Sequence, residues 1–67
     1  MSVARVTEII SASPDSFDDA VKSGIERASK TIHRIQGAWV KEQTVKVDNG
    51  KITEYRTCLM VTFVLDD

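Results

Sequence analysis

Hydrophobic and polar positions divide the chain into four segments that follow one another with no room for a linker. Residues 3–11 form a short run rich in β-branched side chains, which is typical of a strand. Residues 38–48 and 51–65 have the same character, and Asn49-Gly50 joins them. Both of these residues accept the positive φ of a type I′ turn, so the dipeptide is the strongest short signal for a β-hairpin.

Between the first strand and the hairpin, apolar residues recur at steps of three and four, which predicts one amphipathic helix. Its apolar face consists of Phe17, Ala20, Val21, Gly24, Ile25, Ala28, Ile32 and Ile35. We expect Ser13 to cap this helix, Pro14 to occupy its first position and Gly37 to end it. Gly24 costs about 1 kcal/mol relative to alanine within a helix, so we expect a close approach to the sheet there.

The last strand predicts a sheet that is buried on both faces. One set of alternating positions carries Tyr55, Leu59, Val61, Phe63 and Leu65, and the other carries Cys58, Met60 and Val64 among polar residues. A strand that is apolar on both sides is usually covered on both sides. One helix covers only one face, so we expect another subunit to cover the other.

The element order predicts an α+β fold of β-α-β-β type. The expected structure is a three-stranded antiparallel sheet, curled around the single helix, with residues 1–67 forming one domain. Fifteen residues of extended chain span about 50 Å, whereas strands usually span about 17–20 Å. The hairpin must therefore either curl around the helix or extend into neighbouring subunits.

Composition strengthens the case for self-association. A chain of 67 residues buries only about 60% of its unfolded surface, so a single core of this size is marginal. A single cysteine excludes an internal disulfide, and one cysteine with one histidine gives too few ligands for a structural zinc site.

Nine basic and ten acidic residues give a net charge of -1, so we expect no nucleic-acid partner. No stretch has the length of a membrane span and no signal peptide is evident, so we expect a cytoplasmic protein.

The order and spacing of several short motifs resemble those of the dodecin family over nearly the whole chain. The motifs are residues 5–10 (RVTEII), 13–17 (SPDSF), 20–32 around Gly24-Ile25-Glu26-Arg27-Ala28, 40–42 (VKE), 54–56 (EYR) and 61–66 (VTFVLD). The resemblance implies a hollow spherical homododecamer with its helices outside. It also implies a non-catalytic protein that binds or stores a small ligand at subunit contacts, and flavin (riboflavin, FMN or FAD) is the leading ligand.

The resemblance also implies where a flavin would be held. Family members carry a stacking tryptophan at the start of the second strand and a hydrogen-bonding glutamine in the third strand. These positions correspond to Gly37 and Arg56 here. Trp39 lies two residues past Gly37, on the same strand face, either as a stacking group or as a packing aromatic at an interface. Arg56 either contacts a ligand or forms an ion pair with Glu42 or Glu54.

Other ligands remain open alternatives to flavin. Some dodecins bind calcium or magnesium, and the carboxylates of Asp15 and Glu42 match acidic positions of the family, either as ligands from different subunits or as capping and surface charges. Arg27, Lys30 and Arg34 form a basic stripe that suits the phosphates of coenzyme A or a solvated helix face. A dodecin that binds no flavin and serves as a structural shell is a further alternative.

The sequence contains no group of residues that is arranged for catalysis. His33 has no carboxylate at a spacing that would orient it, and Cys58 lies in an apolar strand, where a thiol pKa is raised. There is no nucleophile elbow and no phosphate-binding glycine loop. We therefore expect a binding protein rather than an enzyme.

Overall fold

The computed structural model describes residues 2–65, and its elements follow the order β-α-β-β. They are strand β1 (Ala4–Ser13), helix α1 (Phe17–Ser29), strand β2 (Ile35–Asp48) and strand β3 (Lys51–Val64). The three strands form one antiparallel sheet in the order β1-β3-β2. The predicted fold class and element order are confirmed.

The hairpin turn has the predicted backbone. Asn49 has φ 53° and Gly50 has φ 77°, so both central residues lie in the left-handed region that a type I′ turn requires. Asp48 and Lys51 form the last pair before the turn. The dipeptide therefore sets the register at the turn end of the two fourteen-residue strands, and irregularities further along shift it.

The N-cap of the helix lies three residues later than predicted. Ser16, rather than Ser13, is the N-cap, and its hydroxyl oxygen accepts a hydrogen bond of 3.0 Å from the backbone N–H of Asp19. Ser13 is instead the last residue of β1 and is buried. Its hydroxyl donates to Oδ2 of Asp19 at 2.6 Å and accepts from the backbone N–H of Asp15 at 3.0 Å. Pro14 accordingly lies in the connection and not in the first helical turn.

The predicted end of the helix was wrong. The helix ends at Ser29 with Lys30 as its C-cap, so the last two residues of the expected stripe, Ile32 and Ile35, lie outside it. Thr31 and Ile32 are β-branched and favour extended chain, and Ile35 already pairs with Phe63 in the sheet. Sheet pairing outweighs the helical periodicity here, and Gly37 lies within β2.

The core lies between α1 and the two strands β1 and β3. Ala20, Gly24 and Ala28 form the buried face of the helix, and Leu59 and Val61 are the buried apolar residues beneath them. These helical residues are small, so the backbone of α1 lies close to the sheet. The expected close approach at Gly24 is thus confirmed.

Strand β2 lies outside this core and is largely bare. The helix packs on β1 and β3, and every β2 residue after Ile35 is exposed. Trp39, Val40, Val45 and Val47 show 40–61% of their surface to solvent. The need for a covering neighbour is therefore greatest at β2, rather than at β3 as the sequence pattern suggested. Among the described residues, no helix has the length and apolar character needed to cross a membrane.

Candidate functional site

The face of the sheet opposite α1, which we call the helix-free face, carries most of the predicted site residues. Its members follow from strand register. In β2, Gly37, Trp39, Glu42 and Thr44 oppose Thr62, Met60, Cys58 and Arg56 of β3. In β1, Glu8 opposes Met60 and Ile10 opposes Cys58. The intervening β3 residues, such as Leu59 and Val61, point to the helix and are buried.

Gly37 and Trp39 lie on the helix-free face, as their spacing predicted. A Cβ atom built at Gly37 meets no atom within 4 Å, so the position is open. Trp39 is 52% exposed and pairs with Met60. Together they present an indole ring beside an empty position, which suits a planar ligand or an apolar partner. The assignment of either residue to ligand binding stays a prediction.

Arg56 is engaged within its own strand. Its Nη2 atom lies 2.9 Å from Oε2 of Glu54, so Arg56 forms an ion pair with Glu54 and not with Glu42, and its contact with a ligand stays a prediction. Arg56 lies four residues from Met60, the partner of Trp39, which corresponds to about 13 Å along β3. One protomer therefore does not bring Arg56 beside Trp39, and a site that uses both must be shared between copies.

A polar cluster crosses the middle of the helix-free face. The Cys58 thiol donates to Oε2 of Glu8 at 3.2 Å, and Nζ of Lys41 lies 3.1 Å from the same oxygen. Lys41 reaches Glu8 across the central strand because a register shift between Val40 and Glu42 inserts it as an extra residue in β2. Neither Glu8 nor Lys41 was predicted as part of a site. For Glu8, the only sequence feature that could have predicted its role is a charged residue at an otherwise apolar strand position. For Lys41 no such feature exists, because the bulge that positions it is not visible in the sequence.

The cluster shifts the ionisation of its three members. The hydrogen bond from Cys58 and the contact with Lys41 lower the pKa of Glu8 below its ordinary value. The Glu8 carboxylate raises the pKa of Lys41. Burial, followed by the hydrogen bond to Glu8, raises the pKa of Cys58, in agreement with the inert thiol predicted from its apolar strand.

The two carboxylates predicted to bind a cation lie apart in one protomer. Asp15 follows the end of β1 in the connection to α1, whereas Glu42 lies in β2 opposite Cys58. Within residues 2–65, no three side chains of the histidine, cysteine and acidic types come together as a metal site. Calcium prefers six to eight oxygen ligands, so one protomer does not supply a complete calcium site.

The predicted basic stripe is not a continuous helical face. Arg27 lies in the last turn of α1, Lys30 is the C-cap, and Arg34 lies beyond the helix with φ 62°. A continuous stripe would require the helix to extend to residue 34, but the helix ends before that residue. Arg27 borders a groove between α1 and β1, so it is the member of the set that adjoins a concave surface.

Comparison with known proteins gives consistent matches over almost the whole chain. The sequence profile of the family described as Dodecin matches residues 3–66. A protein of Mycobacterium tuberculosis named calcium dodecin is 44% identical over 64 residues, which cover 94% of this chain and 89% of that protein.

Solved structures show the same fold. The structure of dodecin from Streptomyces davaonensis superposes with a TM-score of 0.94 at 35% identity and covers 98% of this chain and 97% of its own. The structure of a calcium-chelating antigen, calcium dodecin from Mycobacterium tuberculosis, superposes with a TM-score of 0.84 at 39% identity. It covers 97% of this chain and 93% of its own, and it is described as having a novel calcium-binding site.

Proposed function

This chain belongs to the dodecin family, and from that premise we propose that it is a non-catalytic, cytoplasmic binding protein that assembles as a homododecamer. The proposed ligand is a divalent cation, and calcium is the first candidate. The observation that carries the choice of ligand is its 44% identity to a protein named calcium dodecin. The neighbouring copies in such an assembly would cover the bare strand β2 and complete the binding sites.

The two positions that the resemblance links to flavin weigh against flavin as the ligand. Gly37 has no side chain to stack on an isoalloxazine ring. Arg56 has only N–H donors, and Glu54 already accepts from one of them at 2.9 Å. The usual stacking group and the usual amide are thus both replaced in this chain. Loss of both contacts weakens flavin binding at the position where the family places it.

The proposed cation ligands are the carboxylates of Asp15 and Glu42, contributed by different protomers. Among residues 2–65, neither carboxylate has a side-chain hydrogen bond or ion pair that occupies it. Carboxylate oxygens are the preferred ligands of calcium, and water fills the remaining coordination positions of such sites. A site between protomers also explains why one chain alone lacks a complete ligand set.

Calorimetric titration of chelator-treated protein with CaCl₂ and MgCl₂ tests this proposal. We expect saturable calcium binding in the wild type and a loss of at least ten-fold in affinity for Glu42→Gln and for Asp15→Asn. Glu26→Gln, which removes an exposed carboxylate from α1, is the matched control and should bind as the wild type does. Saturable binding that both site variants retain would contradict the ligand assignment, and no binding at all would contradict the function.

A planar ligand stacked on Trp39 is the second candidate function. Its support is the 52% exposed indole beside the open position at Gly37. Titration with riboflavin separates this candidate from the first, because an indole against the ring quenches flavin fluorescence. Quenching that disappears in Trp39→Ala would support flavin binding, whereas unchanged fluorescence in the wild type would exclude it. Coenzyme A held through Arg27 and Lys30 is tested by calorimetric titration, because coenzyme A lacks the flavin fluorescence on which the riboflavin test depends.

A further inference from the structure

Strand β2 carries two oppositely charged neighbours on one face of the sheet. Successive residues of a regular strand point to opposite faces, so Lys41 and Glu42 would ordinarily be separated by the sheet. The register shift between Val40 and Glu42 makes Lys41 the extra residue of a bulge. Lys41 thereby turns to the helix-free face, which Glu42 shares through its pairing with Cys58. The bulge therefore brings an ammonium and a carboxylate to the same face, although they are neighbours in the chain.

Lys41 has two carboxylates near it and forms an ion pair with one of them. Its Nζ atom lies 3.1 Å from Oε2 of Glu8, and within residues 2–65 no ion pair joins it to Glu42. Glu8 is the main cause of the raised pKa of Lys41 and Glu42 is a lesser one, so both charges act on the ammonium. The Cys58 thiol donates to the same Glu8 oxygen at 3.2 Å and so holds this carboxylate in place for Lys41. The ammonium is thus kept on the β1 side of the cluster, and Glu42 remains exposed.

A released Lys41 would compete with a cation for Glu42. An ammonium donates to the same carboxylate oxygens that a calcium ion binds. The side chain of lysine is long and flexible, so loss of the Glu8 contact would let Lys41 turn to the adjoining Glu42. Its charge would also repel a divalent cation there. The partner with which Lys41 forms its ion pair therefore determines whether Glu42 is available as a ligand.

We propose that Glu8 is a positioning residue for the cation site at Glu42, because it holds the ammonium of Lys41 away from the cation ligand. Glu8 acts through Lys41 and does not itself contact the cation. The inference rests on the proposed function, in which Glu42 is a calcium ligand, and adds the residue that keeps this ligand free. It also gives the polar cluster on the helix-free face a role in binding.

Calorimetric titration of chelator-treated protein with CaCl₂ tests this role in the variants Glu8→Gln, Lys41→Met and their combination. Glu8→Gln should bind calcium about two- to five-fold more weakly than the wild type, the range expected for competition from an exposed ion pair. Lys41→Met should bind calcium at least as tightly as the wild type, because it removes the competing ammonium. In the Lys41→Met background, Glu8→Gln should change the affinity by less than about two-fold.

Glu8→Gln and Lys41→Met break the same ion pair, and this separates positioning from a structural role. A structural role predicts that both variants weaken calcium binding alike, and that result would overturn the proposal. Equal losses from Glu8→Gln in both backgrounds would also overturn it, because Glu8 would then bind the cation or act through its own charge. Glu26→Gln, which removes an exposed carboxylate from α1, is the matched control for net charge and should bind as the wild type does.

A measurement without calcium supplies an independent readout. In the calcium-free protein, Glu42→Gln should lower the denaturant midpoint of the Glu8→Gln variant, because it removes the new partner of Lys41. The same substitution should leave the midpoint of the wild type unchanged. A midpoint that Glu42→Gln leaves unchanged in both backgrounds would contradict the transfer of Lys41 to Glu42.

The wild-type titration separates failure of this inference from failure of the proposed function. A wild type that binds no calcium would contradict the proposed function together with the role of Glu8. Additive effects of Glu8→Gln and Lys41→Met in a protein that binds calcium would contradict the role of Glu8 alone.

Discussion

Gly24 of α1 lies so close to Ser11 of β1 that a Cβ atom added to the glycine would stand 2.8 Å from the Cβ atom of Ser11. The same added atom would be 3.3 Å from Cδ1 of Leu59 in the central strand. The Cβ atom of Ser11 is fixed to its backbone, so it moves only if the strand moves. The helix thus approaches the sheet too closely at this position to leave room for a side chain.

Gly24→Ala should therefore destabilise the fold, although alanine is the better helix former. The helix gains about 1 kcal/mol from the substitution, whereas overpacking a close contact costs typically 1–3 kcal/mol. We expect a net loss of about 1 kcal/mol in the free energy of unfolding, measured by denaturant titration. Adding Ser11→Gly should restore stability, because it removes the opposing Cβ atom. A single variant more stable than the wild type would contradict the close approach.

Thr57 carries a buried hydroxyl for which the described part of the chain offers no hydrogen-bond partner. Burying an unpaired hydroxyl costs about 1–3 kcal/mol, and valine has nearly the same shape without this group. Thr57→Val should raise the free energy of unfolding by about 1 kcal/mol. The exposed Thr44→Val in β2 is the control and should change stability by less than about 0.5 kcal/mol. Destabilisation by Thr57→Val would mean that a neighbouring chain or a water molecule bonds to the hydroxyl.

The Glu8 cluster predicts a pH-dependent stability at acid pH. The pKa of Glu8 is lowered in the folded state by its contacts with Cys58 and Lys41. Its ionised form therefore contributes stability that is present above the unfolded pKa, about 4.3, and is lost as the pH falls through the lowered folded pKa. Glu8→Gln should be less stable than the wild type at pH 7, and the difference should vanish in strong acid. Both side chains of the ion pair are half-exposed, so the effect should be small and should weaken with salt.

Denaturant midpoints of the wild type and Glu8→Gln, measured from pH 2 to pH 7, check this prediction. Lys41→Met should show a smaller acid-dependent difference from the wild type than Glu8→Gln, because Glu8 keeps its hydrogen bond from Cys58 when the ion pair is removed. A difference between wild type and Glu8→Gln that is constant down to pH 2 would indicate a packing effect rather than an ionisation effect.

Gly37→Trp combined with Arg56→Gln tests the correspondence with the flavin-binding pattern of the family. The open space around Gly37 accommodates the start of a side chain, and the new indole would share a strand face with Trp39. We expect the double variant to quench riboflavin fluorescence at micromolar concentration. Ala38→Trp with Arg56→Gln places the indole on the opposite face, opposite Val61, and should not quench. Absence of quenching in the first variant would mean that the flavin pocket differs at further positions.

The sequence alone predicted those features that depend on short-range chemistry. Asn49-Gly50 determined the hairpin because both residues tolerate positive φ, and the helical spacing from Phe17 to Ala28 determined one amphipathic helix. Gly24 in the apolar face of the helix predicted the close approach to the sheet, and the apolar strand around Cys58 predicted a thiol with a raised pKa. In each case the controlling interaction lies within a few residues, so the local sequence contains it.

Only the tertiary structure decided features that depend on competition between distant segments. Helical periodicity continued to Ile35, yet pairing of Ile35 with Phe63 ended the helix at Ser29. The bulge that carries Lys41 to Glu8 arises from the register between β2 and β3, which neither strand encodes by itself. Strand β2 is bare because one short helix covers only two of three strands. These outcomes depend on which segments meet, and that is a property of the whole chain and of the neighbours that complete it.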